Sequence, residues 1–417
     1  MQIQRTILFP ILVIVLVIAA VLGLGWASGH YLPATMGQSD FALGWSASNA
    51  WLIKGISPYD GSVMRDAEQI MSSTAAGAQT RLKDPAFINP LYSLIFFGPF
   101  GLIDYGLSRI LWLTFIEICF LIFIIISMKV SGWKISIWGS GLVILIFLLW
   151  YNGARSVLSG QFIIIPILLM VSALWLIQHN QDVGAGFLLA LSTAKPDVSF
   201  ILVLYVTIWS LFTKRYRLFT SIVASLGFLL AISILLLPEW FLQWFRILVV
   251  SPGQKDLYRT ALALIAQSLP GIKTTLNIVL HALAILLMLF GWARSMKKDG
   301  KLFLWTAFMT LVITNFVGYR IDAAYSLALL PGLFLIFRVW QERWSTGGPI
   351  VSWIILALIL AASWGIYILA IKSNGVEPTI MFILPPLTVL IGLYWIRWWA
   401  VQSQQLPFEV LRDRFGL

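Results

Sequence analysis

In a chain of 417 residues of which only 11% are charged, the ionisable side chains that interrupt apolar runs are the first whose chemistry needs a reason. Asp40 opens a segment of apolar and small residues, Phe41 to Ile53, which Gly55-Ile56-Ser57-Pro58-Tyr59-Asp60 closes. As a cap or first-turn residue, an acid at that point stabilises a helix by roughly 0.5–2 kcal/mol. A carboxylate on the outer face of a bilayer, beside an apolar wall, can instead take a proton from an acceptor hydroxyl. Periodicity leaves both readings open. Lys195, in Ala194-Lys195-Pro196-Asp197, stands between the apolar runs Ala185 to Leu191 and Val198 to Leu211. A cation there is costly unless it meets water or a partner, so it either engages a lipid phosphate or Asp197, or snorkels to the headgroups.

Gly318-Tyr319-Arg320-Ile321-Asp322 is a second interruption of this kind. Arg320 and Asp322 can form a local ion pair, or the arginine can present its planar fork to a phosphate. Phe87-Ile88-Asn89-Pro90-Leu91-Tyr92 puts a proline at a helix start, with Asn89 as its cap or as pocket lining. Gln161 follows Gly160 at the head of another apolar run, and the 251–274 loop supplies Lys255, Asp256, Arg259 and Gln267, a lining for a polar cleft or an ordinary solvated loop. Asp60, after Ser57-Pro58-Tyr59, is expected in an Asx-type turn. The three histidines, at 30, 179 and 281, are scattered, and His281 lies on an apolar helix where a packed role is expected. Asp-x-Asp, Walker, His-Glu-x-x-His and Gly-x-Gly-x-x-Gly patterns do not occur, which argues against cytosolic nucleotide chemistry and supports no metal site and no cofactor.

Those side chains must be positioned by elements suited to lipid. Hydrophobic residues make up 60% of the chain, and its charged fraction is less than half the roughly 25% of a soluble domain. The twenty Trp, twelve Tyr and twenty-seven Phe suit the headgroup level of a bilayer, and many of the Trp flank apolar runs. The net charge of +11 comes from Lys and Arg in short clusters such as 214–217 and 297–298, which reads as positive-inside topology and not as a nucleic-acid footprint. The lone cysteine, Cys119, lies inside the apolar run Ile110 to Met128 and is expected to pack there.

The fold class expected is all-α, a polytopic transmembrane bundle of about a dozen hydrophobic segments forming a single integral membrane domain over 1–417. The first helix, Ile7 to Gly25, is long enough for a full span and is read as retained. A large extracytoplasmic loop, 26–89, follows it and holds five of the seventeen acids: Asp40, Asp60, Asp66, Glu68 and Asp84. Phe41 to Ile53 is expected there as a short amphipathic helix on the membrane surface. Further apolar runs cover approximately 90–103, 107–128, 135–150, 161–178, 183–193, 197–213, 217–237, 240–250, 275–293, 302–317, 323–339, 350–371 and 379–400. Several are shorter than the ~20 residues of a perpendicular span, so some must be broken, re-entrant or interfacial, and one between 88 and 160, either 135–150 or 88–103, does not cross simply. With 214–217 and 297–301 taken as cytoplasmic, 251–274, 318–322 and 372–378 fall on the side of the first loop.

In their order along the chain these motifs resemble the polytopic GT-C glycosyltransferases, and most closely glycosyltransferase family 87, the polyprenyl-phosphate-mannose-dependent mannosyltransferases. The carriers are Asp40 with Gly-Ile-Ser-Pro-Tyr-Asp about twenty residues later, Asn89-Pro90-Leu91-Tyr92, Gly160-Gln161, Ala194-Lys195-Pro196, and Tyr319 to Asp322. The resemblance implies an inverting transfer of a sugar, mannose by this likeness, from a polyprenyl-phosphate donor to a lipid or glycan acceptor outside the cytoplasmic membrane. It assigns Asp40 as general base, Lys195 to the donor phosphate and Arg320 to a second phosphate-side position; Asp322, Asn89, Gln161 and Arg259 are further substrate-binding candidates among the residues above. Many members carry a histidine near Arg320, and this chain has none. Related branches use arabinose or other pentose carriers. A transporter or flippase is the main alternative, since Lys195, Arg320 and Asp322 would also suit a substrate path, but the single early loop and the lack of repeats speak against it. A lipid-linked polymerase or ligase would be expected to carry its large loop late in the chain.

Overall fold

The computed structural model describes residues 22–27, 29–30, 39–74, 86–250, 260–297, 300–318, 322–344, 346–371 and 378–401. Among them every regular element is helical. Of the expected first helix only its end, helical over 22–27, is described. Among the described residues, six helices are long and apolar enough to cross a membrane: Tyr105–Ser131, Tyr216–Leu236, Lys273–Ser295, Ala323–Arg343, Gly347–Ala370 and Ile380–Val401. The chain is therefore an all-α polytopic helical protein. The segment Ile137–Leu149 bends by 68° into Tyr151–Leu158, because Trp150 between them is extended (ψ 132°). Leu94–Gly101 has only eight residues, far too few to span hydrocarbon at 1.5 Å per residue.

The contacts divide the chain into two compact units, the first Met1–Ile122, Arg155–Ile165 and Phe228–Pro252, the second Phe123–Ala154, Pro166–Gly227 and Gly253–Leu417. In the first, the helix Ser39–Leu52 packs on Gly61–Thr74 and on Leu94–Gly101. It is not the amphipathic surface helix expected. Phe41, Ala42, Leu43 and Gly44 are all buried, and four successive residues at 100° each cover most of the circumference. The apolar stripe of this loop belongs to Gly61–Thr74, where Val63, Ala67 and Met71 are buried at a spacing of four while Arg65 and Gln69 face out. Small residues permit the enclosure. A Cβ on Gly44 would stand 2.4 Å from the Phe97 ring, and one on Gly101 would stand 2.5 Å from Ser48 Cβ and 2.9 Å from the Asn49 amide nitrogen. Gly101→Ala is expected to force these helices apart at a cost of ~1–3 kcal/mol, read as a lower thermal midpoint in detergent; an unchanged midpoint would show that the packing yields.

In the second unit, Lys301–Val317 is buried on nearly every face, as a helix apolar all round must be. It packs against Pro196–Phe212, Lys273–Ser295 and Ile380–Val401. The basic cluster 214–217 does more here than mark sidedness. Lys214 takes a left-handed conformation (φ 60°) that ends Pro196–Phe212, and Arg215 pairs with Asp182 and donates to the Ile177 carbonyl at 3.1 Å. His281 is a satisfied packed histidine, with Nε2 3.0 Å from Thr260 Oγ1 and Nδ1 2.8 Å from the Asn277 carbonyl.

Candidate functional site

In the first unit, Asp40 sits in the first turn of Ser39–Leu52. It is half-buried, and its Oδ2 is shielded from solvent. That helix ends where Gly55 turns the chain at φ 67° and the Ile56 N–H reaches back to the Ala50 carbonyl at 2.9 Å. Ser57-Pro58-Tyr59-Asp60 then forms a β-turn, closed by the Asp60 N–H on the Ser57 carbonyl at 3.0 Å, with proline where its fixed φ is wanted. Asp60 accepts from the Ser62 N–H at 2.8 Å, the Asx-type bond expected. That bond and the Ser62 hydroxyl hold its carboxyl below the usual carboxylate range. A depressed acid contributes stability that is present above its unfolded pKa and lost as pH falls through the folded one. Asp60→Ala is expected to cost the start of Gly61–Thr74 about 1 kcal/mol at neutral pH, a difference that closes in acid. Hydrogen exchange of the 61–74 amides measures it, and equal protection in both proteins at neutral pH would refute the cap.

Asn89 is half-buried, and its carbonyl accepts from the Tyr59 hydroxyl at 3.0 Å. Burial raises the Tyr59 phenol above its usual pKa, so it remains a donor. The expected Asn89 cap is not formed: Pro90 itself takes the cap position of the turn Leu91–Ser93, which no side chain caps. Gly160, at φ 65°, ends Tyr151–Leu158 in a Schellman arrangement, with Gly160 N–H on Val157 at 2.9 Å and Gln161 N–H on Ser156 at 3.0 Å. Gln161 is buried, and Trp112 Nε1 holds the Gly160 carbonyl at 2.9 Å. An aromatic core ties these motifs together. Phe41, next to Asp40, stacks on Trp112 at 5.0 Å; Trp112 stacks on Phe97 at 5.0 Å; Phe97 meets Phe162, next to Gln161, at 4.7 Å and approaches Phe87 at 6.3 Å. Asp40, Asn89 and Gln161 thus hang on one rigid cluster. The same unit holds Arg109 and Glu117, about two turns apart inside Tyr105–Ser131, which sequence reasoning passed over. Arg109 is buried, and a charge inside an apolar run is the signal that would have found them.

In the second unit, Lys195 is only 3% exposed. It precedes Pro196, the first residue of Pro196–Phe212, and its backbone (φ −129°, ψ 84°) lies outside the helical region that a following proline disfavours. Its carbonyl accepts from the Val198 N–H at 3.3 Å and the Ser199 hydroxyl at 3.1 Å. Asp197, in the first turn where the helix dipole favours an acid, accepts from the Tyr325 hydroxyl through Oδ2, and its Oδ1 is buried with no hydrogen-bond partner among the described residues. A Cβ on Gly318 would lie 3.9 Å from the Asp197 carbonyl. The Lys195 motif and the Gly318-to-Asp322 motif, more than a hundred residues apart in sequence, are therefore neighbours. Asp322 is buried and caps the following 3₁₀ turn by accepting from the Ala324 N–H at 2.9 Å. Arg320 and Arg259 lie outside the described residues.

Asp322 also lines a small cleft together with Asn315, Tyr325, Ser326, Met381, Phe382 and Pro386. Tyr325, Ser326 and Asn315 were not singled out by sequence. Only the step of three from Asp322 to Tyr325 at a helix start hinted at a shared face.

A model of glycosyltransferase family 87 matches residues 87–318. Asn89, Gln161, Lys195 and Arg259 lie within the match, Arg320 and Asp322 just past its end, and Asp40 before it. No curated protein and no solved structure gave a match. The family decides between transferase and transporter in favour of the transferase. With more than half of its length matched, and with helices of membrane-crossing length and apolarity, this chain belongs to glycosyltransferase family 87 and is an integral membrane glycosyltransferase.

Proposed function

We propose that the enzyme moves a sugar, mannose first among the candidates, from a polyprenyl-phosphate donor to a lipid or glycan acceptor at the extracytoplasmic face of the cytoplasmic membrane. Asp40 takes the proton of the acceptor hydroxyl as its oxygen bonds to the anomeric carbon from the face opposite the phosphate. The bond from that carbon to the phosphate oxygen breaks, polyprenyl phosphate leaves with the electron pair, and the configuration inverts. The leaving group is already a stable anion, so the step asks for no protein acid. Lys195 holds the phosphate, with Arg320 and Arg259 on the phosphate side and Asn89, Gln161 and Asp322 lining the substrate path.

The observation that carries the donor class is Lys195, a cation 3% exposed between apolar runs of a glycosyltransferase. A cation so placed can meet the negative charge that a lipid-linked phosphate brings within the bilayer. The test is transfer of radiolabelled mannose from polyprenyl-phosphate-mannose to membrane-extracted acceptors by purified protein in nanodiscs, beside polyprenyl-phosphate-arabinose and nucleotide-sugar donors. Transfer from a polyprenyl-phosphate sugar supports the donor class and names the sugar; transfer from nucleotide sugars alone would overturn it.

A further inference from the structure

We propose that Arg294 and Arg397, carried by two different helices on either side of the Tyr394 hydroxyl, bind the phosphate of an anionic phospholipid. Lys273–Ser295 and Ile380–Val401 both pack on the buried helix Lys301–Val317. Met309 of that helix touches both: a Cβ on Gly291 would overlap its Cε, and the Tyr394 hydroxyl donates to its Sδ at 3.4 Å. Arg294 and Arg397 stand about one turn beyond these contacts on their own helices. Arg397 covers the Trp305 ring at 5.0 Å, which Tyr394 meets edge-on at 5.2 Å, and Arg294 covers Phe290 at 4.4 Å. Both guanidinium groups are within electrostatic reach of the Tyr394 hydroxyl.

Two cations held beside one phenol repel each other unless an anion stands between them. Among the described residues neither arginine pairs with a carboxylate, while Asp182 and Glu342 are taken by Arg215 and Arg338. The helix dipole accounts for Arg294, in the last turn of its helix, but Arg397 stands before the last turn of its own. The proton of the Tyr394 phenol has only a thioether, a weak acceptor, and can turn to a phosphate oxygen. Guanidinium forks match the same group. The setting makes the source a lipid. Phe290, under Arg294, and Trp398, next to Arg397, are 52% and 55% exposed, apolar surface for acyl chains with an indole at headgroup level. The site is also separate from that of the donor phosphate. Lys301–Val317 runs from here to Gly318, beside Asp197, about 25 Å at 1.5 Å per residue and close to the ~30 Å thickness of hydrocarbon. The phospholipid therefore lies in the leaflet opposite the Lys195 motif. With Lys297 and Lys301 at this end too, the positive-inside rule makes that leaflet the cytoplasmic one, where anionic lipids gather at basic pockets between helices.

The experiment is native mass spectrometry of the full chain in detergent, titrated with phosphatidylglycerol, phosphatidylcholine and inorganic phosphate, with thermal midpoints taken on the same samples. The wild type is expected to hold one phosphatidylglycerol about 10-fold more tightly than phosphatidylcholine, whose choline cation the arginines repel, and to gain thermal stability from it. Arg294→Gln, at an exposed position, is expected to weaken phosphatidylglycerol about 10-fold and to leave the lipid-free midpoint unchanged. Arg397→Gln should weaken it as much, and Tyr394→Phe about 3-fold. Arg217→Gln, which removes an exposed arginine from another helix, should change it by less than about 2-fold. Because Arg397→Gln also uncovers Trp305, a variant that fails to fold there leaves Arg294→Gln as the deciding measurement. Equal affinity for the two phospholipids, unchanged binding in Arg294→Gln, or an equal loss in Arg217→Gln would overturn the site. Inorganic phosphate bound in place of the lipid, and lost in Arg294→Gln, would overturn the lipid assignment. Sugar transfer is not part of the readout, so failure of the donor reading leaves the result intact.

Discussion

Asp40→Asn is expected to slow sugar transfer by ~10²–10⁴-fold, the span that a positioned general base contributes, while the protein still folds. The substitution separates the two roles left open by the sequence. Asparagine caps a helix start about as well as aspartate, so a purely structural Asp40 predicts an enzyme of nearly normal activity and stability. A base cannot be replaced that way, because the amide oxygen does not take up a proton at neutral pH. The setting favours the second outcome: the side chain is half-buried with one oxygen shielded from solvent, and the helix behind it is fixed by the stack of Phe41 on Trp112. Single-turnover transfer and thermal unfolding should be measured on the same preparation. A loss of rate at an unchanged midpoint supports the base; full activity would remove Asp40 from the mechanism.

Lys195→Met is expected to raise the KM for a polyprenyl-phosphate donor by about 10- to 100-fold, as a lost hydrogen bond to a charged group implies, and to affect the acceptor KM much less. Methionine keeps most of the apolar stem and removes the charge, so packing around a site that is 3% exposed is largely preserved. Lys195→Arg should recover only part of the affinity. A planar fork needs a different pocket from a compact ammonium, and the backbone here is set by Pro196. If Lys195 only snorkels to headgroups, Met leaves both KM values where they were. Measuring KM for donor and acceptor separately distinguishes these results.

Much of this architecture was legible because its causes are local. The apolar runs became helices, and their breaks fall where the chain chemistry demands: Gly55 and Gly160 at positive φ, Pro196 at a helix start, Asp60 in its Asx turn. The burial of Lys195 and Asp322 agrees with their isolation between apolar segments. Misreadings arose where a local pattern met a non-local partner. Ser39–Leu52 looked half-exposed because nothing in its own residues announces Leu94–Gly101, whose Gly101 lets a second backbone come close enough to cover it. Asn89 looked like a cap, but Pro90 took that position.

The sequence by itself determined the class of the protein, its solvent and which charged residues interrupt its apolar runs, since hydropathy, glycine and proline geometry, and the cost of a charge in lipid act within a few residues. Only the tertiary structure decided which of those residues meet. The bond from Tyr325 to Asp197 joins positions 128 residues apart, and Ser326 accepts from Asn152 Nδ2 across 174 residues. Hydrogen-bond direction is settled by packed neighbours, and no spacing along the chain encodes it.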